Sequence, residues 1–565
     1  MDILKKHQTH IVLFCLMVFG FWLRFRMACV EDLATDEIAT LVTASQSFPK
    51  GIIKALVTKN FHMPLYYFLL HFWIQLFGDN AISLRLMPVL FGTLCIPAAY
   101  ACGKELFSKF AGFSTAILVT INSFMISYSH FGKFYALLEL LGFLSVYLII
   151  KISKDPQNKY FVWLSAVNAC IIYTYVIGFV FVGMQFLVFA GYDFLKNKKN
   201  LKKWIRYMCL MILLMTPIAP MILEIIKNTQ NPIYMPGFWW YNYTSDSIAV
   251  VLMTWFSPAI PVYFVGTEMV RSLPLNFGWS FFWNVLPSLF AGFFIYVSAR
   301  KERFVSLLLT TTLLFVLCEF VATLLGRFAL VPRYTLLAFP SVVLAVGTGI
   351  ALFSKRNFYY IFLSFFVFLN ISYVCIDDVV GSRFSNPRNI ILPLAHHLKT
   401  MRLHKGDKIF IPMRGYLLKY FYHPKDVDVI SFDLNYVLKT GDRQIVSKLY
   451  SDMDIDESKS NGKQKLKRYI TSMEPTVAIS NYIVRDVVRD LNPDNSVVLI
   501  DSCPRPLNSL NLEEELLGDE ISDQAFFYGF CNKVYSDIRI VLEQNGFHLQ
   551  TSNTEEILVY KQVAK

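Results

Sequence analysis

The sequence predicts a polytopic α-helical membrane protein of about 11 transmembrane helices, with juxtamembrane helices on the outer face and a soluble α/β domain at the C-terminus. Of the 565 residues, 55% are hydrophobic and only 17% are charged, whereas soluble domains carry about 25% charged residues. The hydrophobic residues form long runs instead of alternating with polar ones, and the last third of the chain is polar. These patterns exclude a soluble multidomain protein, a disordered chain and a disulfide scaffold.

Transmembrane helices are predicted throughout residues 1–376. A span needs about 20 predominantly apolar residues. No small-residue cleavage site follows the first apolar run, so this run is predicted to remain as a helix rather than to be removed as a signal peptide. The predicted spans are residues 10–29, 82–103, 110–128, 135–151, 160–177, 178–194, 206–225, 277–298, 304–325, 334–353 and 357–376.

Two further apolar stretches are predicted to lie on the outer face as interfacial or re-entrant helices. Pro64–Gly78 is short and opens with proline, and Ile248–Val265 is interrupted by a serine and two prolines. Neither stretch is expected to cross the membrane alone. They define a first outer loop with juxtamembrane helices at residues 30–81 and a second large outer loop at residues 226–276.

The net charge of +12 belongs to the membrane part of the chain. Asp377–Lys565 contains 24 basic and 26 acidic residues, so the preceding residues carry the whole positive excess. With a cytoplasmic N-terminus, the eleven predicted spans place the basic loops on the cytoplasmic side, as the positive-inside rule requires. Membrane lipids, and no nucleic acid, are the partners that this distribution predicts. The compact loops favour the inner (plasma) membrane of a bacterium.

Residues 377–565 are predicted to form an extracytoplasmic α/β domain that acts as an accessory or recognition module. It contains no Gly-rich phosphate loop, metal-ligand spacing or nucleophile elbow. Its two cysteines, Cys503 and Cys531, either form a disulfide or stay unpaired, and the sequence favours neither state. Helical patterns such as Ile390–Met401 separate the candidate strands, which are Lys408–Pro412, Val427–Phe432, Thr476–Ser480, Val497–Asp501 and Ile557–Lys561.

An acidic pair, Asp36–Glu37, lies in the first outer loop just beyond the first span. The commonest role of such a pair is a solvated acidic loop. Apolar segments on both sides offer another role, because burial against them would raise the proton affinity of a carboxylate towards that of a general base.

Several cationic and aromatic residues are predicted at the same face. Each of them alone is explained by the membrane interface, where histidine and tyrosine are common and arginine and lysine extend towards water. Together they form a cationic site above a lipid-accessible bundle, and a lipid phosphate is the natural anion for it. These residues are His62, Arg85, His130, Lys133, Tyr135, Arg333 and Tyr334.

The order of these motifs resembles the GT-C glycosyltransferases of the protein O-mannosyltransferase and aminoarabinose-transferase type. In that family an Asp-Glu pair in the first outer loop precedes a His-Pro-Pro-Leu-like motif and an Arg-Leu…Gly motif. A Tyr-Ser-x-Glu-x-Arg-x-Tyr segment comes next, and Arg-Tyr…Pro follows late in the membrane domain. The corresponding segments here are Asp36–Glu37, His62-Met-Pro-Leu-Tyr-Tyr, Leu84-Arg85-Leu to Gly92, Tyr128-Ser-His130-Phe-Gly-Lys133-Phe-Tyr135, and Arg333-Tyr334 with Pro340.

The resemblance implies a GT-C fold and a membrane glycosyltransferase. Such an enzyme moves a hexosyl or pentosyl group from a polyprenyl-phosphate sugar donor to a lipid, polysaccharide or protein acceptor on the extracytoplasmic face, usually with inversion. Asp36 corresponds to the general base and Glu37 to its support. The donor phosphate or sugar would be bound by His62, Arg85, His130, Lys133, Tyr135, Arg333 and Tyr334. No cofactor is assigned, and no ligand cluster indicates a metal, although the family is mixed in its use of divalent metals.

The sequence departs from the family pattern before the acidic pair, where Ala34-Thr35 stand in place of a common aromatic residue, and at three positions within the motifs. Phe131 stands where the family often has glutamate, Lys133 where it often has arginine, and Met63 where it has proline. Lysine keeps the positive charge of arginine but loses its two-pronged hydrogen bonding. These substitutions do not affect the predicted fold. They leave the sugar and the acceptor unidentified.

A transporter or flippase for lipid-linked sugars is the alternative function. It predicts polar residues near the centres of spans, and Glu139, Asn168 and Glu319 are the few candidates, without evident partners. A non-catalytic anchor for the tail is a weaker alternative, because it gives the charged residues of the outer face no joint purpose.

Overall fold

The computed structural model describes residues 2–30, 35–60, 62–196, 200–229, 255, 286–324, 332–353, 357–368, 391–401, 403–411, 427–431, 495–500, 523–554 and 557–562. Within it, Met1–Glu31 and Asp36–Phe384 belong to one compact unit and Ser385–Lys565 to another. Most of the predicted second outer loop, the candidate strand Thr476–Ser480, Cys503 and the side chain of Cys531 lie outside the described residues.

The first unit is helical, as the long apolar runs predict. Short 3₁₀ turns at Thr216–Ile218 and Pro332–Thr335 interrupt it, and a π-helical turn at Leu56–Asn60 follows the third helix. The described α-helices are α1 Asp2–Val30, α2 Thr35–Ala44, α3 Lys50–Ala55, α4 Leu65–Phe77, α5 Ala81–Leu106, α6 Lys109–Ile121, α7 Ser123–Ser129, α8 Tyr135–Lys154, α9 Asn158–Thr174, α10 Gly178–Lys196, α11 Leu201–Met215, α12 Ala219–Thr229, α13 Leu286–Lys301, α14 Arg303–Leu324, α15 Phe339–Ala351 and α16 Phe358–Phe368.

The centre of this unit is formed by α5, α6, α8 and α15, which pack against one another, with α1 against α5 and α9 against α8. Helix α15 is buried along its whole length, and its small residues allow close approach to its neighbours. By contrast, α1 and α11 expose many large apolar side chains, as lipid-facing helices do. The burial pattern therefore fits a bundle with an apolar surface.

Six helical segments in the described part of the chain are long and apolar enough to cross a membrane, when α11, the 3₁₀ turn and α12 count as one segment, Leu201–Lys227. A seventh is added when the bent pair α6–α7 counts as one span. The predicted number of eleven is not confirmed, because other predicted spans are short helices or extend beyond the described residues; α15 has 13 residues. The predicted outer-face stretch Pro64–Gly78 contains the short apolar helix α4.

The predicted span 110–128 is broken in the structure. Helix α6 ends at Ile121, and the next helix, α7, is inclined to it by 58°. Asn122 causes the break because its backbone is extended and its side-chain Oδ1 accepts the backbone N–H of Met125, which starts α7. The break directs α7 towards the segment that carries His130 and Lys133.

The described residues of the second unit include a five-stranded sheet in the order β2-β1-β3-β5-β4. Strands β1, β2 and β3 are parallel, and β5 is antiparallel to both β3 and β4. Four of the five predicted strands occur within a residue or two of their predicted positions, and β4 was not predicted. The elements of this unit are α17 Ile391–Thr400, β1 Lys408–Ile411, β2 Asp428–Ser431, β3 Ser496–Ile500, α18 Asp523–Gln544, β4 Phe547–Thr554 and β5 Ile557–Gln562.

Candidate active site

The acidic pair occupies the first turn of a helix, where the sequence predicted an outer loop. Helix α2 forms because Ile38 and Leu41 recur at helical spacing and are buried. Adjacent residues of a helix point about 100° apart. Asp36 therefore remains 34% exposed, whereas Glu37 is fully buried.

Glu37 forms a buried ion pair with Arg85. The guanidinium donates from Nε to Oε1 at 2.8 Å and from Nη2 to Oε2 at 2.7 Å. A third bond runs from Arg85 Nη1 to the carbonyl oxygen of Ala28 at 3.1 Å. The backbone N–H of Gly132 also donates to Glu37 Oε1, at 2.7 Å. This pair thus joins α1, α2, α5 and the turn between α7 and α8.

Asp36 faces the two cations that the sequence placed at the outer face. Its Oδ2 lies 3.2 Å from Lys133 Nζ and 4.0 Å from Arg333 Nη1. Asp36 is near the start of the chain, Lys133 lies before α8 and Arg333 lies before α15. Residues almost 300 positions apart in sequence therefore meet at one half-exposed carboxylate.

The Lys133 segment is a tight turn between α7 and α8. The N–H of Lys133 donates to the carbonyl oxygen of Phe131 at 2.6 Å. The Lys133 ammonium lies 6.0 Å from the ring centroid of Tyr135, and Phe131 stacks on the same ring. His130 is buried, with Nδ1 2.9 Å from the carbonyl oxygen of Ile126. Lys133 is thus aimed at Asp36, whereas His130 points into the helix.

His62 lies in an aromatic group beside these charges, just before α4 as predicted. Its ring centroid is 5.3 Å from that of Phe134, 6.3 Å from that of Tyr67 and 6.5 Å from that of Tyr175. Tyr175 in turn lies 5.9 Å from Tyr334.

Arg333 and Tyr334 occupy a 3₁₀ turn before α15. The Arg333 guanidinium lies 5.4 Å from the Tyr334 ring centroid. Burial opposes the charged form of Arg333, but the oxygens of Tyr135, Tyr334 and Asp36 favour it and hold its pKa above the ordinary value. Arg333 is therefore a permanent cation at this site.

A buried hydrogen-bonded link, formed by Asn122, Trp255 and Thr335, connects two walls of the site. Asn122 Nδ2 donates to the carbonyl oxygen of Trp255 at 2.8 Å. Trp255 Nε1 donates to Thr335 Oγ1 at 3.0 Å. The break before α7 is thereby connected to the turn that carries Arg333.

The structure therefore brings Asp36, Lys133, Tyr135, Arg333 and Tyr334 together and sets His62 beside them. Arg85 and Glu37 lie directly beneath, paired with each other. Sequence reasoning missed Tyr175, Gly132 and the link through Trp255. Only Asn122 carried a local signal, since Asn-Ser in an apolar run is typical of a helix start.

The candidate polar residues of the transporter alternative are all buried. The expectation that Asn168 lacks a partner is wrong, because its Nδ2 donates to Gln185 Oε1 and to the Tyr207 hydroxyl, both at 2.8 Å. Ser145 Oγ donates to Asn168 Oδ1 at 2.7 Å. This cluster joins α8, α9, α10 and α11. Among the described residues, no group of three or more His, Cys, Asp and Glu side chains could hold a metal ion.

Residues 61–223 match the family model described as Dolichyl-phosphate-mannose-protein mannosyltransferase. The crystal structure of ArnT from Cupriavidus metallidurans bound to undecaprenyl phosphate is similar to this chain, with a TM-score of 0.56 and 12% sequence identity, covering 99% of this chain and 98% of ArnT. The chain shares the ArnT fold. With the family match, this similarity confirms the resemblance to GT-C glycosyltransferases.

Other comparisons are weaker. ArnT from the same organism in the apo state gives a TM-score of 0.53 at 11% identity, over 99% of this chain and 98% of that one. Archaeal oligosaccharyltransferase AglB from Archaeoglobus fulgidus gives 0.47 at 12% identity, over 99% of this chain and 75% of AglB. No curated protein matches the chain in sequence.

Proposed function

We propose that this protein is a membrane glycosyltransferase that moves a sugar from a polyprenyl-phosphate donor to an acceptor at the extracytoplasmic face, with inversion. The observation that carries the proposal is the Asp36 carboxylate between Lys133 and Arg333, in a fold shared with ArnT. A polyprenyl phosphate is proposed as the carrier because the ArnT structure is bound to undecaprenyl phosphate.

The proposed reaction is a single in-line displacement. An acceptor hydroxyl attacks the anomeric carbon, the bond from that carbon to the phosphate oxygen breaks, and the polyprenyl phosphate leaves. Asp36 takes the proton of the acceptor. Lys133 and Arg333 stabilise the negative charge that develops on the departing phosphate, as preorganised cations do at such sites.

In this scheme, Lys133 and Arg333 can pair either with the Asp36 carboxylate or with the donor phosphate. Both cations face Asp36, at 3.2 and 4.0 Å. A donor phosphate that enters between them would compete with the carboxylate for Lys133 and Arg333. Asp36 would then be released towards the acceptor, so donor binding would prepare the base.

Glu37 and Arg85 are proposed to support the site rather than to touch the donor. The bonds to Ala28 and Glu37 engage all three guanidinium nitrogens of Arg85, and its side chain is buried. The pair fixes the first turn of α2, and the Gly132 N–H bond fixes the turn that carries Lys133. The relative positions of Asp36 and Lys133 therefore depend on this pair.

Deletion of the gene in the source organism, followed by mass spectrometry of envelope lipids, polysaccharides and proteins, tests the proposal. One glycan is expected to disappear and to return with the wild-type gene. The Asp36→Asn variant is expected not to restore it, although the variant protein reaches the membrane. Asp79→Asn is the matched control, because Asp79 is an exposed acid between α4 and α5, and it should restore the glycan. Restoration by Asp36→Asn, or an unchanged glycan profile on deletion, would contradict the proposal.

A further inference from the structure

A cavity of about 240 Å³ lies at the end of the helical bundle away from Asp36. Helix α8 begins at Tyr135 beside the candidate active site. The last turns of this helix carry Ile149 and Ile152, which line the cavity. At 1.5 Å per residue this position is about 20 Å further along the helix. The cavity is therefore separate from the site of the proposed transfer reaction.

The inner wall of the cavity is apolar and its rim is polar. Ile149, Ile152 and Phe189 are buried. Asp193 is the carboxylate of the lining, and it already accepts hydrogen bonds from Trp204 Nε1 at 2.9 Å and from Asn200 Nδ2 at 3.4 Å. The structure thus provides an amphipathic cavity in which the acidic group is engaged by neutral donors.

Three cationic side chains contact residues that line the cavity. Lys196 Nζ donates to the Tyr192 hydroxyl at 3.3 Å. The Arg303 guanidinium lies 5.0 Å from the ring centroid of the same tyrosine. Lys203 Nζ donates to the carbonyl oxygen of Pro156. These three cations, with Asp193 as the carboxylate of the lining, give the rim of the cavity an excess of positive charge suited to a phosphate.

We propose that this cavity binds the phosphate headgroup of an anionic glycerophospholipid. The cations would contact the phosphate, and the apolar wall would pack against the glycerol and the first methylene groups. A lipid rather than a soluble phosphate is favoured because exposed apolar side chains adjoin the cavity, with Leu195 86% and Ile205 53% exposed beside Lys196 and Trp204. Basic pockets between transmembrane helices bind anionic lipids in this manner. The inference does not depend on the proposed glycosyl transfer.

The expected contribution of each cation follows from membrane electrostatics. One lysine or arginine near an anionic headgroup contributes about fivefold in affinity. Lys196→Gln is therefore expected to weaken binding about fivefold, and the double variant Lys196→Gln/Arg303→Gln about 25-fold. Both side chains are on the surface, so these variants are expected to fold.

Native mass spectrometry of the delipidated full-length protein tests the proposal, with phosphatidylglycerol and phosphatidylcholine added in separate titrations. The wild-type protein is expected to bind phosphatidylglycerol in preference to phosphatidylcholine, and the double variant to lose this preference. Lys159→Gln is the matched control, because Lys159 is an exposed lysine at the start of α9, outside the cavity lining. It is expected to bind like the wild type.

Four results would overturn the proposal. Equal binding of both lipids by the wild type would remove the headgroup preference. If Lys196→Gln and the double variant keep the wild-type preference for phosphatidylglycerol, the lipid binds elsewhere. The same conclusion follows if Lys159→Gln reduces this preference as much as they do. Displacement of phosphatidylglycerol by an equal concentration of glycerol 3-phosphate would assign the cavity to a soluble phosphate. The thermal midpoint in lipid-free detergent verifies that every variant is folded.

Discussion

Glu37→Gln is predicted to destabilise the membrane unit by about 3–5 kcal/mol, the usual cost of breaking a buried ion pair on one side. The substitution leaves the buried Arg85 guanidinium opposite an amide whose NH₂ group is itself a donor. The remaining amide oxygen replaces two carboxylate oxygens that accept two bonds from Arg85 and one from the Gly132 N–H. The loss is therefore expected in the upper part of that range.

Unfolding of the purified protein by SDS in mixed micelles measures this free energy. Glu105→Gln is the matched control, because Glu105 also pairs with a cation, Lys151 at 2.8 Å, but both side chains are 26% exposed. It should cost less than about 1 kcal/mol. Adding Arg85→Met to Glu37→Gln should restore part of the stability, since no buried charge is then left alone. A loss for Glu37→Gln no greater than that for Glu105→Gln would refute the reasoning.

Two further substitutions test how the turn and the helix break shape the site. Gly132→Ala is predicted to destabilise the protein by about 1–3 kcal/mol, because the alanine Cβ would lie 2.7 Å from Leu84 Cγ and 3.0 Å from Glu37 Oε1. An unfolding free energy in SDS equal to that of the wild type would contradict this close packing. Asn122→Ser keeps a good helix cap but removes the bond to the Trp255 carbonyl oxygen, so glycan restoration in the deletion strain should fall while the thermal midpoint in detergent changes little. Full restoration by Asn122→Ser would show that the link to Trp255 does not position the site.

The sequence predicted the helical membrane unit because apolar runs such as those of α5 and α8 are as long as a transmembrane helix requires. It did not predict the break at Asn122, since residues 110–128 were expected to form one continuous span. The apolar residues on both sides dominate a 20-residue window, and a single helix cap contributes only about 1 kcal/mol. The exact number of spans depends on helices whose ends lie outside the described residues.

The meeting of Asp36, Lys133 and Arg333 could be predicted because each lies next to a predicted span on the predicted outer face. The resemblance gave Asp36 and Glu37 separate roles, but the different burial of the two side chains could not be predicted from the residues themselves. Adjacent carboxylates are equivalent in sequence, and only the helical rotation of about 100° sends one towards solvent and the other towards Arg85. Tyr175 also escaped notice, because its place beside His62 and Tyr334 depends on how distant helices pack.

The affinity of the purified protein for undecaprenyl phosphate, compared among the wild type, Asp36→Asn and Lys133→Gln, tests the central claim most directly. Lys133→Gln should weaken binding about tenfold, because it removes a charge-assisted contact to the phosphate. Asp36→Asn should bind more tightly than the wild type, because the carboxylate that competes for Lys133 and Arg333 is gone. Weaker binding by Asp36→Asn, or unchanged binding by Lys133→Gln, would contradict an exchange of these cations between carboxylate and phosphate.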